Sequence, residues 1–251
     1  SMLDDSKALA DFRKAFADAG IAISALSCHG NALHPDASFA AQNREVSRKT
    51  VLLAEKLGIP VVVDFSGCPG DSPQATGPNW VTCPWPPDYL KILDWQWSEV
   101  VTPYWTEHGK FAADHGVKIA IEMHPGFVVY SPETMLKLRS IAGPNVGCNF
   151  DPSHLFWQSI DPIAAVRVLE GAIFHVHAKD TQLYAANLAR TGGTASAVWS
   201  IVGGTNDAWI SIDPMTGALS GTPAMANVGP VTVTVQVQEP SLPSNVDPST
   251  G

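Results

Sequence analysis

The sequence has little positive charge and no long apolar run. Of its 251 residues, 15 are Lys or Arg and 24 are Asp or Glu, which gives a formal net charge of −9. A protein that coats nucleic acid needs a basic face, so this balance argues against a nucleic-acid partner. A run of about 18 apolar residues, the length that spans a bilayer, is also missing. The N-terminus shows no signal-peptide pattern, and we therefore expect a cytoplasmic protein without a membrane partner.

Basic residues, histidines and cysteines are missing from the C-terminal part of the sequence. All 15 Lys and Arg, all 8 His and all 4 Cys lie between Lys7 and Arg190. This change of composition predicts one domain over residues 1–190, a second segment over residues 191–239, and a disordered Pro/Ser-rich tail over residues 240–251. The cysteines show no CxxC spacing, which is typical of reduced thiols.

Helical and strand patterns alternate through the first domain. Five such repeats predict an α/β fold with a partial, TIM-barrel-like parallel sheet of about five β/α units. The predicted strands are Ile21–Cys28, Pro60–Phe65, Val117–His124, Val146–Asp151 and Ala172–Asp180. The predicted helices are Asp4–Ala19, Ala40–Leu57, Asp88–His115 with an interruption at Pro103, a helix capped by Ser131, and Asp161–Glu170.

The tail has a different periodicity. Trp199–Ile201, Trp209–Ile212 and Val231–Val237 alternate with a period of two, which is typical of half-buried antiparallel strands. Turn-forming sequences, Asp213–Gly217 and Ser220–Pro223, lie between them. These patterns predict a small all-β segment after the α/β domain.

Ionisable side chains follow the predicted strands at their carboxyl ends, where α/β folds place their chemistry. Glu122, Asp151 and His177 come from three successive strands. Two carboxylates and an imidazole suit Mn²⁺, Mg²⁺, Co²⁺ or Zn²⁺ in an open site, so we predict that these three residues bind a divalent metal ion. His175 lies on the same face of its strand, and we expect it to pack or to support the ligands.

Each of the two carboxylates has an alternative interpretation. Glu122 could instead form a buried ion pair with Lys118 or Lys179, because an unpaired buried charge is costly. Asp151 could instead cap the turn that begins at Pro152.

Four further side chains are candidates for substrate binding. His154 lies three residues after Asp151, on the turn that leaves the strand, and could contact the metal or the substrate. His29 and Lys179 also follow strands, and each could contact sugar hydroxyl or phosphate groups. Trp85, in a loop rich in Pro and Trp, is the candidate for an aromatic wall of a sugar pocket. The alternatives are a solvated loop histidine at position 29 and a surface lysine at position 179.

Three motifs around these residues resemble the xylose-isomerase-like TIM-barrel superfamily, in particular its sugar phosphate isomerase/epimerase group. The motifs are Ile119–Pro125, Gly147–His154 and Phe174–Asp180, and the likeness covers roughly residues 4–190. The resemblance implies that a small-molecule sugar or sugar phosphate is isomerised or epimerised through an enediolate with the help of the metal ion.

The resemblance also assigns roles to single residues. It implies that Glu122 is both a metal ligand and a catalytic acid/base, and that His154 is catalytic beside the metal and the substrate. Barrels of this superfamily have eight strands and a fourth ligand, a Glu, on the last one, whereas this sequence matches the third to the seventh strand. We therefore expect a weakened or inactive site, and self-association through the open edge of the sheet.

The tail resembles a second family. Its Ile212–Pro223 segment is similar to an Ig-like (cadherin-like) repeat. The alternative function is therefore a non-catalytic fusion, in which a remnant barrel is joined to an adhesion or carbohydrate-binding module. A third possibility, an endonuclease of the same superfamily, is disfavoured by the net charge of −9.

Overall fold

The computed structural model describes residues 2–179, 181, 198–205, 208–214, 219–222, 224 and 231–238. The chain divides into two compact units, residues 1–182 and residues 183–251. The domain boundary expected at residue 190 stays a prediction, because residues 182–197 lie outside the described part. The predicted disordered tail over residues 240–251 lies outside it as well.

The first unit contains a five-stranded sheet in which each strand pairs in parallel with the next along the chain. Its strands are β1 (Leu26–Cys28), β2 (Val61–Asp64), β3 (Lys118–Glu122), β4 (Val146–Phe150) and β5 (Ile173–Val176). The predicted α/β fold with a TIM-barrel-like parallel sheet is confirmed. The strands are shorter than expected: β1 begins at Leu26 rather than Ile21, and β5 ends at Val176.

Helices connect these strands. They are α1 (Ser6–Asp18), α2 (Ala37–Leu57), α3 (Asp88–Trp95), α4 (Thr102–Asp114), α5 (Pro132–Ala142), α6 (Ser153–Phe156) and α7 (Pro162–Val168). Within the described residues, none of the helices is long and apolar enough to cross a membrane.

The predicted single helix over Asp88–His115 is wrong in one respect. The interruption is a π-helical turn over Gln96–Val101, which separates α3 from α4 before Pro103 is reached. The backbone stays helical from α3 through this turn into α4, so Pro103 lies inside a continuous helix and has no N–H to donate to the preceding turn. The predicted interruption therefore takes the form of a π-helical turn directly before the proline.

The central strands are buried on both faces, which explains their continuous apolar runs. Val62, Ile119 and Ile121 belong to the main core cluster, which also contains residues of the helices. Val63 and Ala120 point to the opposite face and form a smaller cluster with Phe174. Burying each Val or Ile side chain contributes about 1.5–3 kcal/mol, and this core fixes the carboxyl ends of the strands in space.

The pairing of β4 with β5 is irregular next to the predicted site. A side chain at Gly147 would place its Cβ 2.3 Å from the carbonyl oxygen of Ala172, so the two strands approach closely there. The register then shifts: Cys148 pairs with Ile173, whereas the next residue, Asn149, pairs with His175. This shift places two histidines of the Phe174–Asp180 motif beside Asn149 and the end of β4.

A buried polar chain lies between the sheet and two helices. Ser47 of α2 donates a hydrogen bond to Asp64 at the end of β2 (2.7 Å) and contacts Nε2 of His108 on α4 (2.8 Å). Burial raises the pKa of Asp64 to about 7 and lowers the pKa of His108 to about 4. His108 therefore lies inside the core as a member of this polar chain.

The second unit contains only β-structure among its described residues. The strand β6 (Val198–Thr205) pairs antiparallel with β9 (Thr232–Gln238), and β7 (Ile210–Ile212) pairs antiparallel with β8 (Leu219–Gly221). These antiparallel pairs confirm the predicted small all-β segment.

Candidate metal centre

The carboxyl ends of three adjacent strands bring Glu122, Asp151 and His177 together. Glu122 is the last residue of β3, Asp151 follows β4, and His177 follows β5. One candidate ligand atom from each residue lies within 4.8 Å of the others. The parallel register explains this convergence, because neighbouring strands end at the same edge of the sheet.

Both oxygens of Glu122 are surrounded by possible hydrogen-bond donors, and the side chain is 4% exposed. Oε2 lies 3.2 Å from His29 Nε2 and 3.1 Å from His177 Nδ1, and it accepts a hydrogen bond of 3.2 Å from Asn149 Nδ2. Oε1 lies 3.1 Å from His154 Nε2. A buried carboxylate so surrounded is held in one orientation and can exchange a proton with its neighbours.

The structure contains only a long contact for the ion pair that was the alternative role of Glu122. Lys179 Nζ lies 3.9 Å from Glu122 Oε1. Lys118 does not take this role, since its ammonium group lies over the ring of Phe174, 4.8 Å from the centroid. The neighbours of Glu122 are therefore mainly imidazoles rather than lysines.

Asp151 uses its two oxygens differently. Oδ1 accepts hydrogen bonds from the backbone N–H (3.0 Å) and the hydroxyl (2.6 Å) of Ser153, which is the capping role considered for this residue. Oδ2 is buried and pairs with the ammonium group of Lys179. It lies 3.8 Å from His177 Nδ1 and 2.5 Å from Lys179 Nζ.

Asp151 and Lys179 shift each other's pKa in opposite directions. Burial acts to raise the pKa of Asp151, but the Lys179 ammonium and the Ser153 donors outweigh it, so that this pKa lies below its usual value. The Asp151 carboxylate in turn raises the pKa of Lys179. Asp151 is therefore ionised at neutral pH and presents a negatively charged oxygen to the site.

Two residues at the site were not assigned roles from the sequence. His124 forms a second candidate ligand set with Glu122 and His154, and its ring lies 4.3 Å from that of His154. Asn149 contacts His175 Nδ1 through Oδ1 (2.9 Å). A signal for His124 was available, because it lies two residues after Glu122 and extends the same face of the strand.

The remaining predicted residues lie at different distances from this cluster. His29 reaches Glu122 with Nε2, while its Nδ1 lies 2.8 Å from the hydroxyl of Ser27. His175 contacts Asn149 and Ser24 rather than Glu122. Trp85 is 74% exposed, and among the described residues it takes no part in the hydrogen bonds or ring contacts that reach Glu122.

A parallel sheet whose strands follow one another in chain order, with an acidic and imidazole cluster at its carboxyl edge, is typical of the TIM-barrel class. The family model described as "Xylose isomerase-like TIM barrel" matches residues 2–190. The chain belongs to this xylose isomerase-like TIM-barrel family. The model described as "Putative Ig domain" matches residues 164–249, and its first residues overlap α7 and β5 of the parallel sheet.

Two curated relatives are similar to parts of the chain. The uncharacterized protein YfiH of Bacillus subtilis (strain 168) is 42% identical over 185 residues, which cover 72% of this chain and 59% of the relative. An inosose dehydratase of Glaesserella parasuis serovar 5 (strain SH0165) is 32% identical over 92 residues, 36% of this chain and 30% of the relative. The chain thus spans about three fifths of YfiH and less than a third of the dehydratase.

A solved structure gives the same fold. A D-tagatose 3-epimerase-like protein superposes with a TM-score of 0.51 and 23% identity, over 70% of this chain and 62% of that chain. The chain therefore has the fold of the xylose isomerase-like sugar isomerases and epimerases.

Proposed function

We propose that the first unit binds a divalent metal ion and moves a proton on a keto sugar or its phosphate, as an isomerase or epimerase. The observation that carries the proposal is the convergence of Glu122, Asp151 and His177, with His29 and His154 on the two oxygens of Glu122. The names of similar proteins, an inosose dehydratase and a D-tagatose 3-epimerase-like protein, support a carbohydrate substrate.

The residues present fit a divalent cation. Glu122 and Asp151 supply hard oxygen atoms, His177 supplies a ring nitrogen, and these atoms already lie within 4.8 Å of one another. Asp151 Oδ2 is buried and pairs with the Lys179 ammonium group at 2.5 Å, so a positive charge already lies beside this oxygen and a metal ion would displace that group. When bound, Mn²⁺, Mg²⁺, Co²⁺ or Zn²⁺ supplies Lewis-acid polarisation of a sugar carbonyl.

Glu122 is the proposed acid/base. Its carboxylate would take the proton from the carbon next to the sugar carbonyl and return it to the neighbouring carbon on the same face, as an isomerase does. An epimerase would need a second acid/base group on the opposite face. His154 Nε2, 3.1 Å from Oε1, orients that oxygen and can exchange a proton with it. His29 Nε2, 3.2 Å from Oε2, orients the second oxygen of Glu122 and can exchange a proton with it. Lys179 contributes a positive charge that can bind a substrate oxygen.

A dehydratase is the second candidate function, favoured by the similarity to the inosose dehydratase. Its first step is the same removal of a proton next to a carbonyl. A hydroxyl group on the next carbon then leaves as water, which needs a proton donor. Lys179 is the candidate donor because of its position: its ammonium group lies 3.9 Å from Glu122 Oε1 and 2.5 Å from Asp151 Oδ2.

Calorimetric titration with Mn²⁺, Mg²⁺, Co²⁺ and Zn²⁺ tests metal binding directly. We expect Glu122→Gln and His177→Ala each to weaken binding at least about tenfold. His115→Ala is the matched control, because His115 pairs with Glu55 on the surface, away from the site. Equal affinity in all four proteins would refute the metal centre and would favour the non-catalytic fusion.

Proton transfer is tested separately from turnover. With a panel of keto sugars and sugar phosphates in D₂O, we expect deuterium to enter the carbon next to the carbonyl, and NMR detects this exchange even when conversion is slow. In H₂O, an isomerase or epimerase gives a product with the same mass as the substrate, whereas a dehydratase gives a product that is lighter by one water. Exchange that survives in Glu122→Gln would remove Glu122 from the acid/base role.

A further inference from the structure

A second group of candidate metal ligands shares Glu122 with the metal centre proposed above. One ligand atom from each of Glu122, His124 and His154 lies within 4.8 Å of the others. The two oxygens of Glu122 face different groups, because Oε2 lies 3.1 Å from His177 Nδ1 and Oε1 lies 3.1 Å from His154 Nε2. A carboxylate can give one oxygen to each of two cations, so the two groups can use different atoms of Glu122.

The ring of His124 has the tautomer that a metal ligand requires. Its Nδ1 lies 2.7 Å from the carbonyl oxygen of Pro125, which can only accept a hydrogen bond, so Nδ1 carries the proton and donates it. Nε2 of the same ring then holds a lone pair. A histidine that binds a metal ion through one nitrogen commonly donates the N–H of its other nitrogen to a carbonyl group in this way.

Aromatic contacts hold this ring in place. His124 packs against Phe65, with the ring centroids 5.0 Å apart, and meets Phe127 edge to face at 5.8 Å. Phe65 and Phe127 in turn stack on each other at 4.3 Å. The ring of His124 also meets that of His154 edge to face at 4.3 Å. Because packing already limits the motion of the His124 ring, a cation would bind there at a small cost in side-chain entropy.

The two groups differ in ligand chemistry, which predicts the ion that each one prefers. The metal centre offers two carboxylates and one imidazole, whereas the second group offers one carboxylate and two imidazoles. Carboxylate oxygens suit Mg²⁺ and Mn²⁺, while imidazole nitrogens suit Zn²⁺. Bonds of about 2.0–2.1 Å to Zn²⁺ place neighbouring ligand atoms about 3–3.5 Å apart, and Glu122 Oε1 and His154 Nε2 are separated by 3.1 Å.

From the shared carboxylate, the tautomer of His124 and the packing of its ring, we propose that Glu122, His124 and His154 form a second, zinc-selective site whose occupation blocks proton transfer. The site itself stands on this geometry, whereas the block rests on the proposed function, in which Glu122 moves the proton. Zn²⁺ on Oε1 would occupy an oxygen of the acid/base group and separate it from His154. Two cations that share one carboxylate repel each other, so this ion should bind more weakly than the first.

Calorimetry of the full chain with Mg²⁺ and with Zn²⁺ tests the second site. We expect one Mg²⁺ and two Zn²⁺ per chain. His124→Phe keeps a ring that can pack on Phe65 but removes the ligand nitrogen, so it should bind one Zn²⁺. Its affinity for Mg²⁺ should stay within about twofold of the wild type. His177→Ala should show the opposite pattern, with one Zn²⁺ still bound and Mg²⁺ binding weakened.

His115→Phe is the matched control. His115 packs against Phe111 and pairs with Glu55, and it belongs to neither group of ligands, so this variant should still bind two Zn²⁺. One Zn²⁺ per chain in the wild type would overturn the second site and leave the metal centre intact. No binding of Mg²⁺ or Zn²⁺ would overturn both.

NMR of the histidine rings in the wild type is the second measurement, and it serves even if His124→Phe does not fold. In the chain saturated with Mg²⁺, added Zn²⁺ should shift the ring signals of His124 and His154 in a saturable way. Zn²⁺ binding that leaves the His124 signals unchanged would overturn the second site, because the ion would then have other ligands.

Deuterium exchange next to the sugar carbonyl tests the block separately. In the Mg²⁺-loaded wild type, Zn²⁺ that fills the second site should slow the exchange at least about tenfold. The same Zn²⁺ concentration should change the exchange in His124→Phe less than about twofold. Equal inhibition of the two proteins would place the effect of Zn²⁺ at the first site and overturn the block. Exchange that is absent without Zn²⁺ would overturn the proposed function, and the block with it, but not the second ion.

Discussion

The buried chain of Ser47, Asp64 and His108 predicts two opposing effects of pH on the stability of the first unit, and Asp64→Asn separates them. Burial holds the pKa of Asp64 at about 7 instead of 3.8, which makes its ionisation in the folded state cost about 4 kcal/mol more than in the unfolded chain. Between pH 4 and pH 7 the folded state holds a proton there that the unfolded state has lost. This group therefore makes the free energy of unfolding fall as pH rises through that window.

His108 acts in the opposite direction. Burial lowers its pKa from 6.5 to about 4, so that between these values the unfolded chain binds a proton that the folded state does not. Its contribution, about 3 kcal/mol in full, is present above pH 6.5 and is lost as pH falls through pH 4. In the wild type the two contributions cancel between about pH 4 and pH 6.5. In this range the folded state holds one proton, on Asp64, and the unfolded state also holds one, on His108.

Asp64→Asn removes the first contribution and leaves the second. An Asn side chain can still accept from the N–H of Phe65, as Asp64 Oδ1 does at 2.7 Å, and it can donate to Ser47. The variant should equal the wild type near pH 4 and should become more stable than it as pH rises, by up to about 4 kcal/mol at pH 8. The free energy of unfolding of the variant itself should rise between pH 4 and pH 6.5.

Urea unfolding followed by tryptophan fluorescence between pH 4 and pH 8 measures this difference. Asp114→Asn is the matched control, because Asp114 is an exposed aspartate that pairs with Lys110, and its difference from the wild type should vary little with pH. A difference for Asp64→Asn that is independent of pH would refute the raised pKa. A variant that loses stability relative to the wild type as pH rises would instead indicate an ion pair between ionised Asp64 and protonated His108.

Two further predictions concern the edge of the sheet. Gly147→Ala should destabilise the first unit by about 3 kcal/mol, because its Cβ would lie 2.3 Å from the carbonyl oxygen of Ala172. Urea unfolding measures this loss of stability. A loss below about 1 kcal/mol would show that the two strands move apart to accept the methyl group. Lys179→Met should strengthen Mn²⁺ binding about two- to fivefold in calorimetry, because the ammonium group 2.5 Å from Asp151 Oδ2 competes with a cation. Lys91→Met, at an exposed pair on α3, is the control, and weaker binding in Lys179→Met would contradict the competition.

The positions of Glu122, Asp151 and His177 could be predicted because strand ends are local features of the sequence. Apolar runs mark buried parallel strands, and parallel register then brings their carboxyl ends to one edge. His29 and His154 followed from the same reasoning. The sequence did not reveal which atoms meet, because the shift between Cys148 and Asn149 depends on the close approach of β4 and β5.

The parts that could not be predicted depend on tertiary contacts. The π-helical turn before Pro103 contains the buried Gln96, which donates to carbonyl groups of a loop distant in the sequence, and such contacts cannot be read from local periodicity. Trp85 was chosen from its loop composition, but the structure places Trp80 and Trp97 in a cavity and leaves Trp85 exposed. Composition shows that a loop is aromatic, whereas the contacts of the folded chain decide which rings form a wall.

The two interpretations of Asp151 that the sequence left open hold for different oxygens of one side chain. Oδ1 caps the turn through Ser153, as a purely structural aspartate would. Those two hydrogen bonds fix the plane of the carboxylate, so that Oδ2 faces His177 and Lys179 without having to be ordered when a cation binds. The structural role thus reduces the entropy cost of the proposed ligand role, because the side chain is already immobilised in the folded protein. For Asp151, a cap is therefore an argument for the metal centre rather than against it.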